Sequence, residues 1–234
     1  MKTYIFNNQS SLWGESECIG FGTDKFYVKE IDKKLSKNII INNHYSKKVC
    51  NDATTHIHLG VFYKGTLKGV LQYGYAMNPQ SMSSVVKGTK LDEYKELNRM
   101  WIDDDCLKYA ESQAISYSIK YIKKKYKKVK WIQTFADERC GGFGIVYQSC
   151  SFGYYGKHLS TFWEFDGEIY HNSIITNSNR NKKKELEQMG FKERAVKKTL
   201  RQFRYIKFLD KREKKNCLLE EKPYPKHYKD ENNK

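Results

Sequence analysis

The chain has 234 residues, 39% of them hydrophobic, which is enough for one substantial core and places it among the globular proteins. It carries 43 Lys and Arg against 27 Asp and Glu, a formal net charge of +16 at pH 7, so we expect a polyanionic partner, with nucleic acid first. The absence of a signal peptide and of a long apolar run argues against a membrane protein. The six cysteines form no C-x-x-C pair, so we expect a cytoplasmic protein with reduced thiols.

The first half of the chain predicts a strand, a helix and a hairpin. Residues 1–24 are mixed in composition and predict an irregular N-terminal arm. A strand is predicted at 26–29, and apolar residues at helical spacing predict a helix over 31–41. Two β-rich runs, 56–63 and 67–75, are joined by Lys-Gly-Thr and predict a hairpin.

The second half predicts a strand at 97–102 and a long helix at 109–126, whose apolar stripe has spacings of four, three and four residues. Further elements follow in order: a strand at 131–135, a short helix at 144–150, a strand at 154–165, an amphipathic piece at 185–191 and a strand at 199–208. The predicted domain runs from 25 to 210. The tail, 211–234, is rich in Lys and Glu without apolar periodicity and predicts a disordered or loosely docked segment.

The candidate site residues are concentrated in the segment WIQTFADERCGGFGIVYQSCSFGYYG, where the predicted strand that begins at residue 131 ends and a short helix follows. Asp137 ends the strand, Gly142 and Gly144 lie in the bend, and Tyr147 lies in the helix. Glycines allow a ligand to approach closely, and N–H groups at a helix start attract anions. The alternative is that the aspartate caps a helix and the glycines only form a turn.

Two basic clusters suggest contact with phosphate groups on either side of a cleft. One occupies the end of the long predicted helix, and the other follows residue 181. The residues proposed to bind DNA are Lys47, Lys48, Lys182, Lys183 and Arg201. The alternative is that lysine-rich faces merely solvate their helices.

A metal site is not expected. His56 and His58 alternate along a predicted strand, yet no carboxylate is spaced to complete a triad of ligands with them. Two histidines on a hairpin are more often ordinary structural residues.

The order of elements, β-α-β-β-β-α-β-α-β, resembles the GNAT superfamily of acyltransferases. This resemblance implies an α/β (α+β) fold with a mixed central sheet flanked by helices, in which two splayed central strands open a cleft for an acyl donor. Tyr147, followed by Phe152 and Gly153, matches a tyrosine that often acts as a general acid in that superfamily. The loop that would cradle the pyrophosphate of coenzyme A is acidic here, DDDCLKYAES, which argues against acetyl-coenzyme A as the donor.

A more specific resemblance rests on four motifs in order between Asn43 and His171. They are NHYS from residue 43, ELNRMWI with the later AES, FAD from residue 135, and IVYQ followed by Phe152. This set is similar to the Mom family of phage DNA-modification proteins. The resemblance implies a transferase that converts adenine in DNA to N6-(carbamoylmethyl)adenine and so protects phage DNA from host restriction in the host cytoplasm. It implies active-site roles for Tyr45, Ser112, Asp137 and Tyr147, with His44, Asn98, Arg99 and Glu111 close by.

Several points stay open at this level. Asp137 could act as a base or as a strong acceptor near adenine N6, and Tyr45 could stack on an adenine extruded from the duplex. The donor is unknown, and an activated glycyl carrier such as glycyl-tRNA is one hypothesis. The competing functions are an ordinary N-acetyltransferase and a non-catalytic nucleic-acid-binding protein.

Overall fold

A computed structural model describes residues 4–7, 18–47, 52–140, 142–172 and 181–226. These residues form one ten-stranded sheet in the order β1-β2-β3-β4-β5-β6-β7-β10-β8-β9. The strands are Tyr4–Asn7 (β1), Cys18–Gly22 (β2), Phe26–Glu30 (β3), Thr55–Tyr63 (β4), Thr66–Gly74 (β5), Tyr94–Ile102 (β6), Trp131–Asp137 (β7), Gly153–Phe165 (β8), Glu168–His171 (β9) and Val196–Phe208 (β10). The α-helices are Lys33–Asn43 (α1), Ala110–Lys125 (α2), Ile145–Ser149 (α3), Asn181–Gln188 (α4) and Phe191–Arg194 (α5). The predicted mixed sheet flanked by helices is confirmed.

The central feature of the sheet is the parallel pair β6–β7. Every other neighbouring pair of strands described is antiparallel. The register of the parallel pair runs from Tyr94 opposite Trp131 to Leu97 opposite Thr134 and stops there, although both strands continue. The carboxyl ends of β6 and β7 therefore separate and leave a cleft in the middle of the sheet, as the resemblance to the GNAT superfamily implied.

A β-bulge marks the point of separation. On the other edge of β6, Gln72 lies opposite Arg99 while Tyr73 lies opposite Leu97, so Asn98 is an extra residue. Bulges bend a strand and increase its twist. The bulge at Asn98 thus turns β6 away from β7 directly after their last paired residues.

The two faces of the sheet are covered by different helices. The long helix α2 packs on one face, where Ile115, Ile119 and Ile122 of its predicted apolar stripe are buried in the main core. Helix α1 packs on the opposite face against β4, β5 and β6. Asp32 caps α1 by accepting hydrogen bonds from the backbone of Lys34 at 2.7 Å and of Leu35 at 3.2 Å. Residues 44 and 45 directly follow the C-terminal end of α1, so they lie on the same face of the sheet as this helix.

Two terminal regions differ from the predictions. Residues 4–7 and 18–22, placed in an irregular arm, form β1 and β2, which pair with each other; β2 also pairs with β3 and packs against α2, with Cys18, Gly20 and Gly22 buried. Residues 211–226, placed in a loosely docked tail, lie against the domain. Cys217 forms a β-bridge with Val86, and Cys217 and Leu219 pack on a second hydrophobic cluster. Apart from the short 3₁₀-helix at Lys211–Asn216, this segment has no regular helix or strand, so it shows no apolar periodicity although it is docked.

None of the described helices is long and apolar enough to cross a membrane.

The docked C-terminal segment leads to a stability prediction. A chain ending at Asp210 loses the packing of Leu219 and backbone hydrogen bonds such as that from Leu218 to Val85 at 2.9 Å. Lost side-chain burial of roughly 2–4 kcal/mol, at about 2–4 °C per kcal/mol, lowers the melting temperature by roughly 5–10 °C. Thermal unfolding followed by circular dichroism measures this change. A chain ending at Lys226 is the control and should melt like the full chain; equal melting of both truncations would contradict the docking.

Candidate functional site

The site is built around a hydrogen bond between two residues 92 positions apart in the chain. The Tyr45 hydroxyl, just beyond α1, donates to Asp137 Oδ2 at the end of β7, at 3.2 Å. Asp137 is 8% exposed, whereas Tyr45 is 52% exposed. The structure thus joins two of the residues predicted from sequence, with the carboxylate enclosed and the phenol ring at the surface.

Arg139 holds the Asp137 carboxylate in place, and sequence reasoning did not single it out. Its Nε donates to both carboxylate oxygens, at 3.0 and 2.9 Å, and its backbone N–H donates to Oδ1 at 3.0 Å. Burial raises the pKa of Asp137, but the hydrogen bonds from Arg139 and from the Gln202 side chain outweigh it, and the net pKa is lowered. Asp137 therefore stays ionised at neutral pH and is better suited to accept a hydrogen bond than to take up a proton.

The guanidinium of Arg139 also links aromatic side chains. Its carbon lies 4.5 Å from the ring centre of Phe162 and 5.2 Å from that of Tyr45. These cation–π contacts hold the plane of Tyr45 as well as its hydroxyl. The sequence did offer one signal for Arg139: it is a charged residue two positions after Asp137, the aspartate that ends β7.

His44 is buried behind Tyr45, with the two ring centres 4.2 Å apart. Its Nδ1 accepts the backbone N–H of Ser46 at 3.1 Å, which leaves the ring proton on Nε2. Burial, assisted by the positive charges of Arg99 and Arg139, lowers the pKa of His44 to about 4. His44 is therefore neutral at pH 7.

Asn98 and Arg99 lie at the bulge that opens the cleft. Asn98 accepts from the Thr55 hydroxyl at 3.2 Å and donates to the Tyr75 carbonyl at 3.1 Å and to Glu96 Oε1 at 3.2 Å. One Arg99 nitrogen donates to the carbonyl of Asn98 at 2.6 Å. Asn98 therefore holds β4, β5 and β6 together at the bulge, while Arg99 contributes positive charge near His44.

A second polar cluster, formed by Glu96, Gln133 and Arg204, lies on the same face of the sheet and was missed from the sequence. Gln133 Nε2 donates to Glu96 Oε2 at 2.6 Å, and Arg204 donates to Gln133 Oε1 at 3.4 Å. Burial raises the pKa of Glu96 to about 7, against the lowering effect of its hydrogen bonds from Gln133 and Asn98. Glu96 can therefore exchange a proton near neutral pH. Its signal in the sequence was weak, since it is one of four polar residues in β6, beside Lys95, Asn98 and Arg99.

Ser112 and Tyr147 lie on the other face of the sheet, the one covered by α2. The Tyr147 ring packs against Tyr205 and Phe152, with ring centres 5.6 and 5.9 Å apart. The Ser112 hydroxyl donates to the Tyr109 carbonyl at 3.1 Å within the first turn of α2, and the Ser112 carbonyl accepts from Cys150 just after α3, at 3.3 Å. The four residues predicted as one catalytic group are thus two pairs on opposite faces, near the β6–β7 cleft.

The remaining predicted substrate-binding residues have different surroundings. Gly144 begins α3 with φ of +79°, and a Cβ there would lie 2.5 Å from the Tyr205 ring, so this position requires glycine. Gly142 lies in the connection between β7 and α3, and Glu111 is exposed in the first turn of α2. Helix α3 has five residues.

The predicted DNA-binding residues are only partly described. Lys47 is exposed beside Tyr45, Lys183 is half-buried in α4, and Lys48 and the side chain of Lys182 lie outside the described residues. Arg201 pairs with Glu138 through its guanidinium, and its backbone N–H donates to Glu138 Oε2 at 2.7 Å. Arg201 is therefore already matched by a carboxylate.

The predicted basic cluster on α2 is also partly neutralised. Lys125 pairs with Glu30, and Lys130, just beyond the helix, pairs with Glu93 at 2.9 Å and with Glu213 at 3.1 Å. These pairs support the alternative reading, in which part of this cluster solvates the protein surface.

The two histidines considered as metal ligands have separate partners. His58 Nδ1 lies 3.0 Å from the Ser36 hydroxyl of α1, while the His56 ring lies 4.6 Å from that of Tyr75. Across the described ranges, no group of three or more His, Cys, Asp or Glu side chains could hold a metal ion.

Comparison with known proteins identifies close relatives in sequence. The profile of the Mom protein family matches residues 25–226. The methylcarbamoylase Mom of Escherichia phage Mu is 44% identical over 228 residues, which cover 96% of this chain and 94% of the phage Mu protein.

Solved structures resemble the fold at much lower identity. The ribosomal-protein-S5-alanine acetyltransferase of Vibrio fischeri has a TM-score of 0.47 at 11% identity, covering 82% of this chain and 98% of its own. A GNAT-family acetyltransferase from Streptococcus pneumoniae also has a TM-score of 0.47, at 9% identity, covering 79% of this chain and all of its own (100%).

The buried His44 generates a prediction about stability and pH. Its pKa of about 4 in the folded chain lies below the ordinary value of 6.5, so between these values only the unfolded chain takes up the proton. The free energy of unfolding should therefore fall as the pH drops from 6.5 toward 4, by up to about 1.4 kcal/mol per pH unit from this group. Urea unfolding at pH 7 and pH 5 measures the loss, which should be smaller in His44→Gln. Tyr45→Phe is the neighbouring control and should keep the full loss; an equal loss in wild type and His44→Gln would contradict the assignment.

Proposed function

Because the chain belongs to the Mom protein family, we propose that it is a DNA-modifying transferase that converts adenine in DNA to N6-(carbamoylmethyl)adenine and so protects phage DNA from host restriction. The relative from phage Mu is named for methylcarbamoyl transfer. The net charge of +16 fits a nucleic-acid substrate, which would place the reaction in the bacterial cytoplasm. The observation that supports this proposal most directly is the hydrogen bond from Tyr45 to Asp137 at the cleft.

The surface phenol of Tyr45 suits contact with the target base. A base within the duplex stack cannot be reached by a group that acts on it, so the adenine would be extruded toward the cleft. Tyr45 offers a half-exposed aromatic face whose plane is held by Arg139 and His44. Asp137, kept ionised, would orient the Tyr45 hydroxyl and accept a hydrogen bond from the amino group of the adenine.

The opposite face would receive the donor. Tyr147 and Ser112 lie on that side of the sheet, and the gap between β6 and β7 connects the two faces. We assign Tyr147 to protonation of the leaving group and Ser112 to orientation of the donor carbonyl. Asn98, Arg99 and Glu111, with Gly142 and Gly144, would form the walls of the substrate site.

The donor would be an activated glycyl group, such as that of glycyl-tRNA, rather than acetyl-coenzyme A. The loop before α2 carries Asp103, Asp104 and Asp105; Lys68 pairs with Asp103 at 2.9 Å, while the other two carboxylates are exposed. Such a loop would repel the pyrophosphate of coenzyme A.

The proposed reaction has two stages. First, adenine N6 attacks the glycyl carbonyl, forms an amide bond, and the carrier leaves with a proton. The free amine of the glycyl group then attacks ring carbon six and forms a five-membered intermediate. Cleavage of the original bond between carbon six and N6 gives the carbamoylmethyl product, with the former N6 as its amide nitrogen.

The product is directly measurable. Plasmid DNA from bacteria expressing the chain should contain N6-(carbamoylmethyl)deoxyadenosine when digested to nucleosides and analysed by mass spectrometry. Asp137→Asn removes the ionised acceptor and Tyr45→Phe removes its hydroxyl partner, so both should lower the product by at least about tenfold. Lys64→Gln, at the tip of the β4–β5 hairpin, is the control and should leave the product unchanged.

The other two candidate functions give different results. An N-acetyltransferase would leave the DNA nucleosides unmodified and transfer acetyl groups to protein or a small amine. A non-catalytic DNA-binding protein would bind DNA equally well with Asp137→Asn and modify nothing.

Isotope labelling tests the donor and the rearrangement. With glycine labelled at nitrogen, the label should appear on the nitrogen attached to ring carbon six, because the glycyl amine replaces N6 there. With adenine labelled at N6, the label should appear in the terminal amide. Fragmentation of the product nucleoside distinguishes the two positions. Modified DNA without label from glycine would exclude the glycyl donor while leaving the modification itself intact.

A further inference from the structure

The α2 face of the sheet has an exposed surface in the ladder between β8 and β10. The register places Lys157 opposite Phe203, which is buried in the main core beneath α2, and Lys197 opposite Trp163, which packs on Phe191 of α5. Residues directly opposite each other in a ladder share a face, so both lysines lie on the α2 face. Both are exposed. The six-residue step from Lys157 to Trp163 along β8 spans about 20 Å.

The cations of this surface outnumber the carboxylate beside them. Arg201 follows the same alternation between Lys197 and Phe203, and it pairs with Glu138. The hydrogen bonds from Arg201, with a smaller effect from the charge of Lys157, lower the pKa of Glu138. Among the residues that the structure describes, neither Lys157 nor Lys197 forms an ion pair. The charge of Glu138 therefore offsets only one of the three cations.

Lys222 of the docked C-terminal segment adds a fourth cation. It forms a β-bridge with Tyr154, whose ring lies in the main core on the α2 face, so Lys222 lies on that face too. Its Cε is 3.9 Å from the position that a Cβ on Gly156 would take, one residue before Lys157. In the described part of the chain Lys222 has no carboxylate partner. We call the row Lys222, Lys157, Arg201 and Lys197 the basic stripe.

The basic stripe begins next to the aromatic residues that hold Tyr147. The Tyr147 ring packs on Tyr205, whose ring centre is 5.5 Å from that of Tyr154. The Tyr154 ring in turn lies 6.3 Å from that of Phe203, the residue opposite Lys157. A polyanion bound along the stripe would therefore approach the cleft from the side of Tyr147, away from the face that carries the bond between Tyr45 and Asp137.

We propose that the basic stripe binds phosphate groups of a transfer RNA, the class of donor carrier that the proposed reaction requires. This inference rests on the proposed function, which brings DNA to the α1 face and the donor to the α2 face. A transfer RNA carries its aminoacyl group at the end of a single-stranded tail, so its body would lie on the stripe while the tail reaches Tyr147. Folded RNA offers proteins mainly its phosphates and shape, and exposed lysines supply point charges for phosphates.

The salt dependence of binding tests the stripe without requiring catalysis. Full-length protein is titrated at several potassium chloride concentrations with a fluorescent glycine-accepting transfer RNA and, separately, with a fluorescent DNA duplex. A double variant with Lys157→Gln and Lys197→Gln should reduce the slope of log affinity against log salt for transfer RNA by roughly 1.4–1.8, the value of two phosphate contacts. The slope for the DNA duplex should stay unchanged, because the DNA would bind the other face.

Two matched variants separate a local contact from a general effect of charge. Lys25→Gln with Lys64→Gln removes the same charge at two neighbouring exposed positions, where the Lys64 N–H donates to the Lys25 carbonyl at 2.7 Å. These positions lie several strands away from β8, and their slopes should match the wild type for both nucleic acids. Lys157→Arg with Lys197→Arg keeps both charges and should retain the slope for transfer RNA. A reduced slope in this arginine variant would overturn the proposal.

Simultaneous binding tests the placement on opposite faces. Wild-type protein saturated with unlabelled DNA duplex should still bind the labelled transfer RNA, because direct transfer from carrier to adenine requires both at once. Displacement of the transfer RNA by the duplex would overturn the proposal. A lower slope of the lysine-to-glutamine variant for the duplex, alone or equally with transfer RNA, would assign the stripe to DNA and overturn it as well.

The outcomes keep the stripe and the reaction apart. An unchanged slope for transfer RNA in the variant with Lys157→Gln and Lys197→Gln overturns the stripe even if the DNA carries label from glycine. A selective loss of slope for transfer RNA supports the stripe even if mass spectrometry detects no modified adenine, in which case the proposed reaction fails by itself.

Discussion

The arrangement of this protein depends on the point at which β6 and β7 stop pairing. Up to Leu97 and Thr134 the two strands share a register; beyond it, each is paired on its outer edge only, β6 with β5 and β7 with β10. The inner edges of both strands thus turn backbone N–H and C=O groups toward the gap, where they require partners. The separation therefore creates a cleft and also supplies it with hydrogen-bonding groups that do not depend on side-chain identity.

The alternation of side chains along β7 decides which groups meet on each side of that cleft. Gln133, Phe135 and Asp137 point to the α1 face, whereas Thr134 and Ala136 point to the α2 face. Glu96 and Asn98 are two residues apart on β6, so they share a face and bond to each other. The extra residue at Asn98 shifts the alternation that follows it and places Arg99 opposite Gln72, whose side chain contacts α1. These two strands therefore give the sheet a polar face toward α1 and a largely apolar, tyrosine-rich face toward α2. The separation of Tyr45 and Asp137 from Ser112 and Tyr147 is a direct result.

Local patterns in the sequence were sufficient for most elements and for part of the site. The hairpin β4–β5, the stripe of α2 and the strand-to-helix turn at Asp137 each have a signature within a few residues, and all were placed within a few positions of their ends. Family motifs identified Tyr45 and Asp137, but only the fold shows that they bond. Glu96 escaped prediction because its partner Gln133 lies 37 residues away in sequence, whereas Arg139 was overlooked although its partner Asp137 is a near neighbour. The docked segment 211–226 escaped for a related reason: it is stabilised by contacts with residues 85 and 86, and nothing within the segment itself indicates them.

The position of β10 has a consequence for how the chain folds. Among the described strands β10 is the last in sequence, yet it lies inside the sheet, between β7 and β8. The strands β8 and β9 are joined to the rest of the sheet only through β10. Residues 153–171 therefore gain their place in the sheet only when residues 196–208 pair with β7, and pairing between such distant parts of a chain is slow.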